Sequence, residues 1–300
     1  MCVASVFVEK LLREVPDVQK IFLLVRAKNE EAAMQRLKTE IIDCELFTRL
    51  KNAYGERYEE FMRSKLVAVV GNICDPWLGM NSNDVRVIAD QVNVIISIAG
   101  TTKWHERYDV LLDLNVRGLS RLLNYAMDCK KLDLFLHVSS AYVNRETLEV
   151  VLEKPIVLYE SITERQNNSN SNSPTLPVEL DIENELKMVA EFASTIPNNQ
   201  LPTEMAKLGI RRAKIHGLSS GYLVTKDMGE MLITRLRDKL PSVIIRPPFI
   251  ESCFREPVSG WIEGYRGMDP MIISYGKGQL QGICADPASI LDVVSRAGKN

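Results

Sequence analysis

A tyrosine and a lysine stand four residues apart at Tyr222 and Lys226, in a stretch whose apolar spacing predicts a helix over 222–239. Residues at this spacing share one helix face, so the ammonium is expected to lie near the phenol. There it would favour the phenolate, lower the tyrosine pKa and let the hydroxyl exchange a proton near neutral pH. A chain with nine tyrosines also meets this spacing by chance, so the pair alone does not establish a catalytic site.

Two serines end an apolar run that is predicted to be a strand over 132–139. Parallel sheets bind ligands at the carboxyl ends of their strands, so the Ser140 hydroxyl is placed to hold a substrate carbonyl oxygen beside Tyr222. The alternative is a serine that only completes a turn at the strand end.

Asn115 lies inside the predicted helix 108–130, where asparagine is a poor interior residue. We therefore expect it to bridge backbone or water near Lys226; the alternative is a tolerated, partly exposed asparagine. The segment Ala99, Gly100, Thr101 ends another predicted strand, and its small residues would let a cofactor approach closely.

Short apolar runs alternate with amphipathic segments through residue 246. The predicted strands are 21–26, 66–71, 92–99, 132–139 and 242–246, and the predicted helices are 3–14, 30–50, 83–90, 108–130, 178–193 and 222–239. This alternation indicates βαβ units and an α/β fold with a doubly wound parallel sheet. We expect a domain over 1–246 with a flexible polar insert near 165–177. The Gly- and Pro-rich part, 247–300, is expected to cover the substrate.

Composition excludes several classes of protein. The 300 residues carry 37 Lys and Arg against 39 Asp and Glu, a net charge of −2 that predicts no nucleic-acid partner. No apolar run is long enough to span a membrane, and no basic segment with an apolar core marks a secretory signal. Six cysteines without a CxxC predict reduced thiols, and three scattered histidines predict no metal site.

Longer segments carry a family resemblance. VFVEKLLREVPDVQKIFLLVRA, ERYDVLLDLNVRG, HVSSAYVN and VIIRPPFIESCFREPVSGWIEG resemble plant alcohol-forming fatty acyl-CoA reductases, members of the extended short-chain dehydrogenase/reductase superfamily with its NAD(P)-binding Rossmann fold. The resemblance runs from about residue 3 to residue 294. It implies two hydride transfers from NADPH that convert a long-chain fatty acyl-CoA to an aldehyde, with release of CoA, and then to a primary alcohol.

The resemblance also implies roles for residues. Tyr222 would donate the proton, Lys226 would orient the cofactor ribose, Ser140 would bind the carbonyl oxygen and Asn115 would complete the relay. The residues implied to bind NADPH, besides Tyr222 and Lys226, are Arg26 and Lys28 at the 2′-phosphate, Asn72 near the adenine, Ala99, Gly100 and Thr101 beside the cofactor, and Pro247 near the nicotinamide. Without the resemblance, Arg26 is as readily a surface arginine at a strand end.

One feature of the superfamily is absent. Its glycine-rich phosphate loop would precede the helix 3–14, but the residues before that helix contain no glycine. We therefore expect a chain truncated at both ends, without the first, central strand, so that strand edges are unpaired or the sheet closes up. Two alternatives follow. One is an inactive truncated paralogue or splice form that acts at most as a binding protein, and the other is an extended reductase for sugars or phenolic acyl-CoA.

The family resemblance and the sequence alone predict different cellular locations. The family resemblance implies the endoplasmic reticulum surface or a plastid, with peripheral membrane association. The chain alone, with no visible anchor or transit peptide, predicts a cytosolic protein.

Overall fold

The computed structural model describes residues 2–101, 103–143, 180–262, 264–265, 267–282, 284, 286 and 293–296. They belong to two compact units, one formed by Met1–Gly71 with Pro247–Asn300 and the other by Asn72–Arg246. The insert predicted near 165–177 and Thr102 lie outside the described residues. The predicted division at residue 246 into a Rossmann-like domain and a substrate-covering region stays a prediction.

The elements follow one another as alternating strands and helices. The strands are β1 (Ile21–Val25), β2 (Leu66–Val70), β3 (Val94–Ser97), β4 (Leu134–Val138), β5 (Ser242–Ile245), β6 (Phe249–Cys253) and β7 (Val293–Arg296). The α-helices are α1 (Cys2–Glu14), α2 (Glu30–Leu37), α3 (Thr48–Tyr54), α4 (Tyr58–Lys65), α5 (Ser82–Gln91), α6 (Tyr108–Leu112), α7 (Gly118–Asp128), α8 (Ile182–Thr195), α9 (Leu201–Ile215), α10 (Gly221–Thr234) and α11 (Asp269–Gly276).

All five predicted strands are found, and every strand pair is parallel. β1 pairs with β2, β6 pairs with β7, and β4 lies between β3 and β5. The predicted α/β fold with parallel strands is therefore confirmed.

The predicted helix over 30–50 is wrong. α2 ends at Leu37, a π-helical turn follows over Lys38–Ile42, and a 3-10 turn over Glu45–Phe47 leads into α3. The side chains of Ile41, Ile42, Leu46 and Phe47 are all buried. On a straight α-helix these four positions would spread around most of the circumference, so the chain bends to bring them into one core.

The expectation that strands and helices stop after residue 246 is also wrong. β6, α11 and β7 continue the pattern in the first unit. The signal in β6 was weak because Glu251 and Ser252 interrupt its apolar residues, leaving no continuous run that would mark a buried strand.

The three-stranded sheet of the second unit has its core on one face. Phe135 of β4 is fully buried there and packs in one cluster with Leu119 and Leu123 of α7 and Ile233 of α10. Helix packing on this face fixes β4 as the central strand and brings α10 beside it.

β1 and β3 are edge strands. Among the described residues, β1 has only β2 as a strand partner and β3 has only β4.

Candidate active site

Helix α10 is buried around its whole circumference over residues 221–230, which is unusual for a helix that carries a lysine and acidic residues. The Ser220 side chain caps its first turn by accepting from the backbone N–H of Leu223. Gly221 follows, and a Cβ there would lie 3.0 Å from the Cα of Gly209 on α9. The absence of a side chain therefore lets α9 and α10 approach closely and seats Tyr222 in the interior.

Tyr222 and Lys226 face the carboxyl end of β4. The exposed fractions are 6% for Tyr222 and 7% for Lys226. Lys226 Nζ donates a hydrogen bond of 2.9 Å to the carbonyl oxygen of Val138, the last residue of β4. The ammonium is thus fixed to the end of the central strand, where parallel sheets bind ligands.

Asn115 contacts the same helix through Thr225. It lies in a π-helical turn, Asp113–Arg117, between α6 and α7, and it is buried. Its Nδ2 donates to Thr225 Oγ1 over 3.0 Å, and that hydroxyl donates to the Tyr222 carbonyl oxygen over 2.8 Å. Asn115 is therefore buried and not partly exposed, and it bridges to the side chain of the residue that precedes Lys226 instead of to the backbone or water that we expected.

The other end of the Asn115 amide faces the loop after β3. Its Oδ1 is buried and has no hydrogen-bond partner among the residues that the structure describes. A Cβ built on Gly100 would lie only 2.8 Å from this oxygen. The glycine lets the loop backbone come close to Asn115, so the segment Ala99 to Thr101 reaches the neighbourhood of α10.

The two serines after β4 have different surroundings. Ser140 is buried, and its Oγ accepts from the backbone N–H of Tyr142 within the 3-10 turn Ala141–Val143, which packs against α10. Ser139 instead donates its hydroxyl to Glu230 Oε1. Ser140 thus lies at the strand end beside α10, and both the turn and the binding interpretations of it stay open.

Tyr222 belongs to a row of three aromatic rings in which Trp104 is the middle one. The Trp104 ring is stacked on the Tyr222 ring with centroids 6.1 Å apart and an interplanar angle of 29°, and Tyr142 meets Trp104 edge-on. Sequence reasoning missed both residues. The available signal was their position, since each lies in the loop or turn that follows a predicted strand.

Burial shifts both key pKa values. It raises the pKa of Tyr222 to about 12. It lowers the pKa of Lys226 to about 8, against the opposing charge of Glu230. The predicted lowering of the tyrosine pKa by the lysine is not found, because removal of the phenolate from water sets the direction of the shift.

An ion pair that sequence reasoning also missed lies one helical turn beyond Lys226. Glu230 is fully buried, and Arg246, directly after β5, binds its carboxylate with two nitrogens. The available signal was the spacing, because Tyr222, Lys226 and Glu230 follow one another at four-residue intervals on α10.

The remaining predicted cofactor residues are only partly brought together. Asn72, in the second unit, uses its side chain in a turn, where Oδ1 accepts from the Cys74 N–H and Nδ2 donates to Asp75. Arg26, Lys28 and Pro247 belong to the first unit. Arg26 and Lys28 are exposed just after β1, so their assignment to the cofactor stays a prediction.

Comparisons with known proteins give the family context. An NAD-binding family described as male sterility protein matches residues 2–296. The chain is 46% identical to chloroplastic fatty acyl-CoA reductase 2 of Arabidopsis thaliana, over 97% of this chain and 47% of that protein. It is 35% identical to the alcohol-forming fatty acyl-CoA reductase of Simmondsia chinensis, over 97% of this chain and 58% of that protein. The chain thus spans about half the length of these relatives.

Solved structures show the same fold. The terminal R domain of the myxalamid PKS-NRPS pathway matches with a TM-score of 0.58 at 18% identity, over 98% of this chain and 56% of that one. The PhqB reductase domain of Penicillium fellutanum gives 0.54 at 15% identity, over 92% and 53%. Within the described residues, no helix has the length and apolar character needed to cross a membrane.

Proposed function

The chain belongs to the male sterility NAD-binding family, an enzyme family whose plant members include fatty acyl-CoA reductases, and we propose that it reduces a long-chain fatty acyl-CoA to a primary alcohol with NADPH. An aldehyde would be the intermediate, and CoA would leave in the first reduction. The observation that carries this proposal is the burial of Tyr222 and Lys226 together at the carboxyl end of β4, with Asn115 bridged to the same helix.

The residues present fit the nicotinamide–ribose half of such a cofactor. An ammonium has three N–H donors, so Lys226 can keep its bond to Val138 and still bind ribose hydroxyls. Ala99 and Gly100 are exposed and small at the end of β3, where a backbone can lie against a flat ring. Arg26 and Lys28 are proposed to hold the 2′-phosphate, since an arginine fork suits phosphate oxygens.

The pyrophosphate half has less support. In the superfamily it rests on a glycine-rich loop at a helix N-terminus. Residues 2–20 contain no glycine, so this cradle is not among the described residues ahead of β1.

The side chains then have the following roles. A bound nicotinamide would supply the hydride for each of the two reductions. Tyr222 would donate the proton to the oxyanion that develops from the carbonyl, and Ser140 would hydrogen-bond that oxygen. Because these donors act where negative charge grows, they would stabilise the transition state more than the bound substrate.

The ammonium compensates for the high tyrosine pKa. A phenol whose pKa is about 12 holds its proton strongly until a negative oxygen develops nearby. Protonated Lys226 then stabilises the phenolate that remains after the transfer. The lysine therefore acts after proton donation as much as before it, and Asn115 keeps α10 in place through Thr225.

The test begins with the purified chain. We expect its thermal midpoint to rise with NADPH and less with NADH, because a ligand that binds only the native state stabilises it. Hexadecanoyl-CoA with NADPH should then give free CoA and hexadecanol, with two NADPH oxidised per alcohol. The absence of both a thermal shift and NADPH oxidation overturns the proposal, and turnover only with a UDP-sugar or a phenolic acyl-CoA replaces its substrate.

A further inference from the structure

Glu230 lies on the same face of α10 as Tyr222 and Lys226, and its side chain is 0% exposed. A carboxylate removed from water costs free energy unless charges and hydrogen bonds replace the solvent. Here Arg246 Nε donates to Glu230 Oε1 over 2.9 Å, Arg246 Nη2 donates to Oε2, and the Ser139 hydroxyl donates to Oε1. Three donors therefore satisfy the buried carboxylate.

These contacts tie three elements together. Glu230 belongs to α10, Ser139 directly follows β4, and Arg246 directly follows β5. One carboxylate thus fixes the helix to the carboxyl ends of two neighbouring strands.

The segment held in this way is the one that the active site uses. Val138 accepts the hydrogen bond of Lys226, Ser139 donates to Glu230, and Ser140 follows. Lys226 and Glu230, one helical turn apart on α10, therefore form hydrogen bonds with two consecutive residues, Val138 and Ser139. A rotation or slip of α10 against β4 would break both contacts and change the distance between Ser140 and Tyr222.

We propose that Glu230 is a positioning residue, which sets the spacing between the proton donor and the carbonyl-binding serine and supports the charge of Lys226. The first part of this inference, the spacing between Tyr222 and Ser140, rests on the proposed function. Its second part concerns the charge state of Lys226 alone and is measurable without any substrate.

The titratable and charged groups around Lys226 support the second part. On α10 itself they are Tyr222, Asp227 and Glu230; β4 contributes His137, and the end of β5 contributes Arg246. Burial lowers the pKa of His137 to about 3, so this imidazole is neutral. Glu230 raises the pKa of Lys226 while burial lowers it. Loss of the carboxylate charge should therefore lower the pKa of this lysine further.

The experiment compares Glu230→Gln, which keeps the shape and removes the charge, with Ser139→Ala, which keeps the charge and removes one anchor. Glu191→Gln is the control, since that side chain is 67% exposed on α8. We expect kcat to fall about ten- to a hundredfold in both test variants, the order that misplaced reacting groups cost. In E230Q alone, the loss of activity at high pH should begin about one pH unit lower.

A purely structural role gives a different result. It would lower the thermal midpoint of E230Q while the folded enzyme kept the wild-type kcat and pH profile, and this outcome overturns the inference. If E230Q does not fold, S139A decides: wild-type kcat in S139A contradicts the positioning role.

A substrate-free readout separates this inference from the proposed function. The chemical shift of ¹³Cε-labelled Lys226 followed against pH gives the midpoint of its titration in the wild type and in E230Q. An unchanged midpoint in E230Q overturns the charge role, whether or not the wild type has activity. A lowered midpoint in a chain without turnover rejects the proposed function and leaves the electrostatic role of Glu230 supported.

Discussion

Lys226 and Val138 are joined by a hydrogen bond of 2.9 Å in which the ammonium donates to the carbonyl oxygen at the end of β4. Lys226 is thus buried, and its hydrogen-bond partner is an uncharged carbonyl group that does not neutralise the ammonium. Its charge is held by a dipole and by Glu230 one turn away, and burial keeps its pKa near 8. The function of this lysine and the stability of the fold should therefore depend on pH in opposite ways.

The Lys226→Met variant tests this opposition. The folded-state pKa lies below the unfolded one, so the protonated lysine opposes folding below about pH 8, and this penalty disappears as the pH rises toward 10.5. Methionine carries no such penalty. The advantage of K226M over the wild type in free energy of unfolding should thus shrink between pH 7 and pH 10, by an amount on the order of 3 kcal/mol.

Urea unfolding of both proteins at the two pH values measures that change. An equal difference at pH 7 and pH 10 would show that Lys226 is not desolvated as described. Activity should move the other way: wild-type turnover should decline as the pH rises through about 8, and K226M should have almost none at either pH.

Tyr222→Phe removes only the hydroxyl. We expect turnover to be lost while NADPH affinity stays nearly unchanged, because the ring and its stack on Trp104 remain. Tyr125→Phe is the matched control, since it removes a hydroxyl that donates to the Val85 carbonyl on α5 and costs about 1 kcal/mol of stability. Wild-type rates in Y222F would refute the assignment of the proton donor.

The sequence was sufficient to single out Tyr222, Lys226 and Asn115, which the structure buries at α10, because their signals are local. Helical spacing, a poor helix former inside a helix and the ends of apolar runs can each be read within a few residues. The five predicted strands were found for the same reason, since each contains a short continuous run of apolar residues.

Spacing places Glu230 on the helix face of Tyr222 and Lys226, but neither its burial nor the bend after α2 could be predicted from local signals. A glutamate on a helix is usually solvated, and the burial of Glu230 is explained by donors distant in sequence, Arg246 after β5 and Ser139 after β4. The π-helical turn at Lys38–Ile42 depends on which core its isoleucines reach, which is a tertiary property. Burial also reversed the expected shift of the Tyr222 pKa, since the cost of desolvating the phenolate is not visible in residue spacing.

Arg26→Ala tests the exposed end of β1 as the 2′-phosphate site. A charge-assisted hydrogen bond contributes about 1.5–3 kcal/mol, so the ratio of kcat/KM for NADPH to that for NADH should fall about ten- to a hundredfold. Arg63→Ala, which removes an exposed arginine paired with Glu59 on α4, should leave the ratio as it is. An unchanged ratio in R26A means that another residue recognises the phosphate.

Gly100→Ala tests the contact between the loop after β3 and Asn115. The added Cβ would lie 2.8 Å from Asn115 Oδ1, nearer than a carbon and an oxygen can rest, so either the loop or the asparagine must move. We expect a loss of about 1–3 kcal/mol in the free energy of unfolding, typical of overpacking, together with reduced turnover as Asn115 is displaced from Thr225.

Gly282→Ala is the control for that change, because a Cβ there meets no atom within 4 Å. Urea unfolding and acyl-CoA turnover of both variants separate the two effects. If G100A lost stability but kept full turnover, Asn115 would serve the fold and not the reaction. If G100A kept both its stability and its turnover, the loop would have moved without displacing Asn115. The close approach of Gly100 to Asn115 would then not be needed for the position of Asn115.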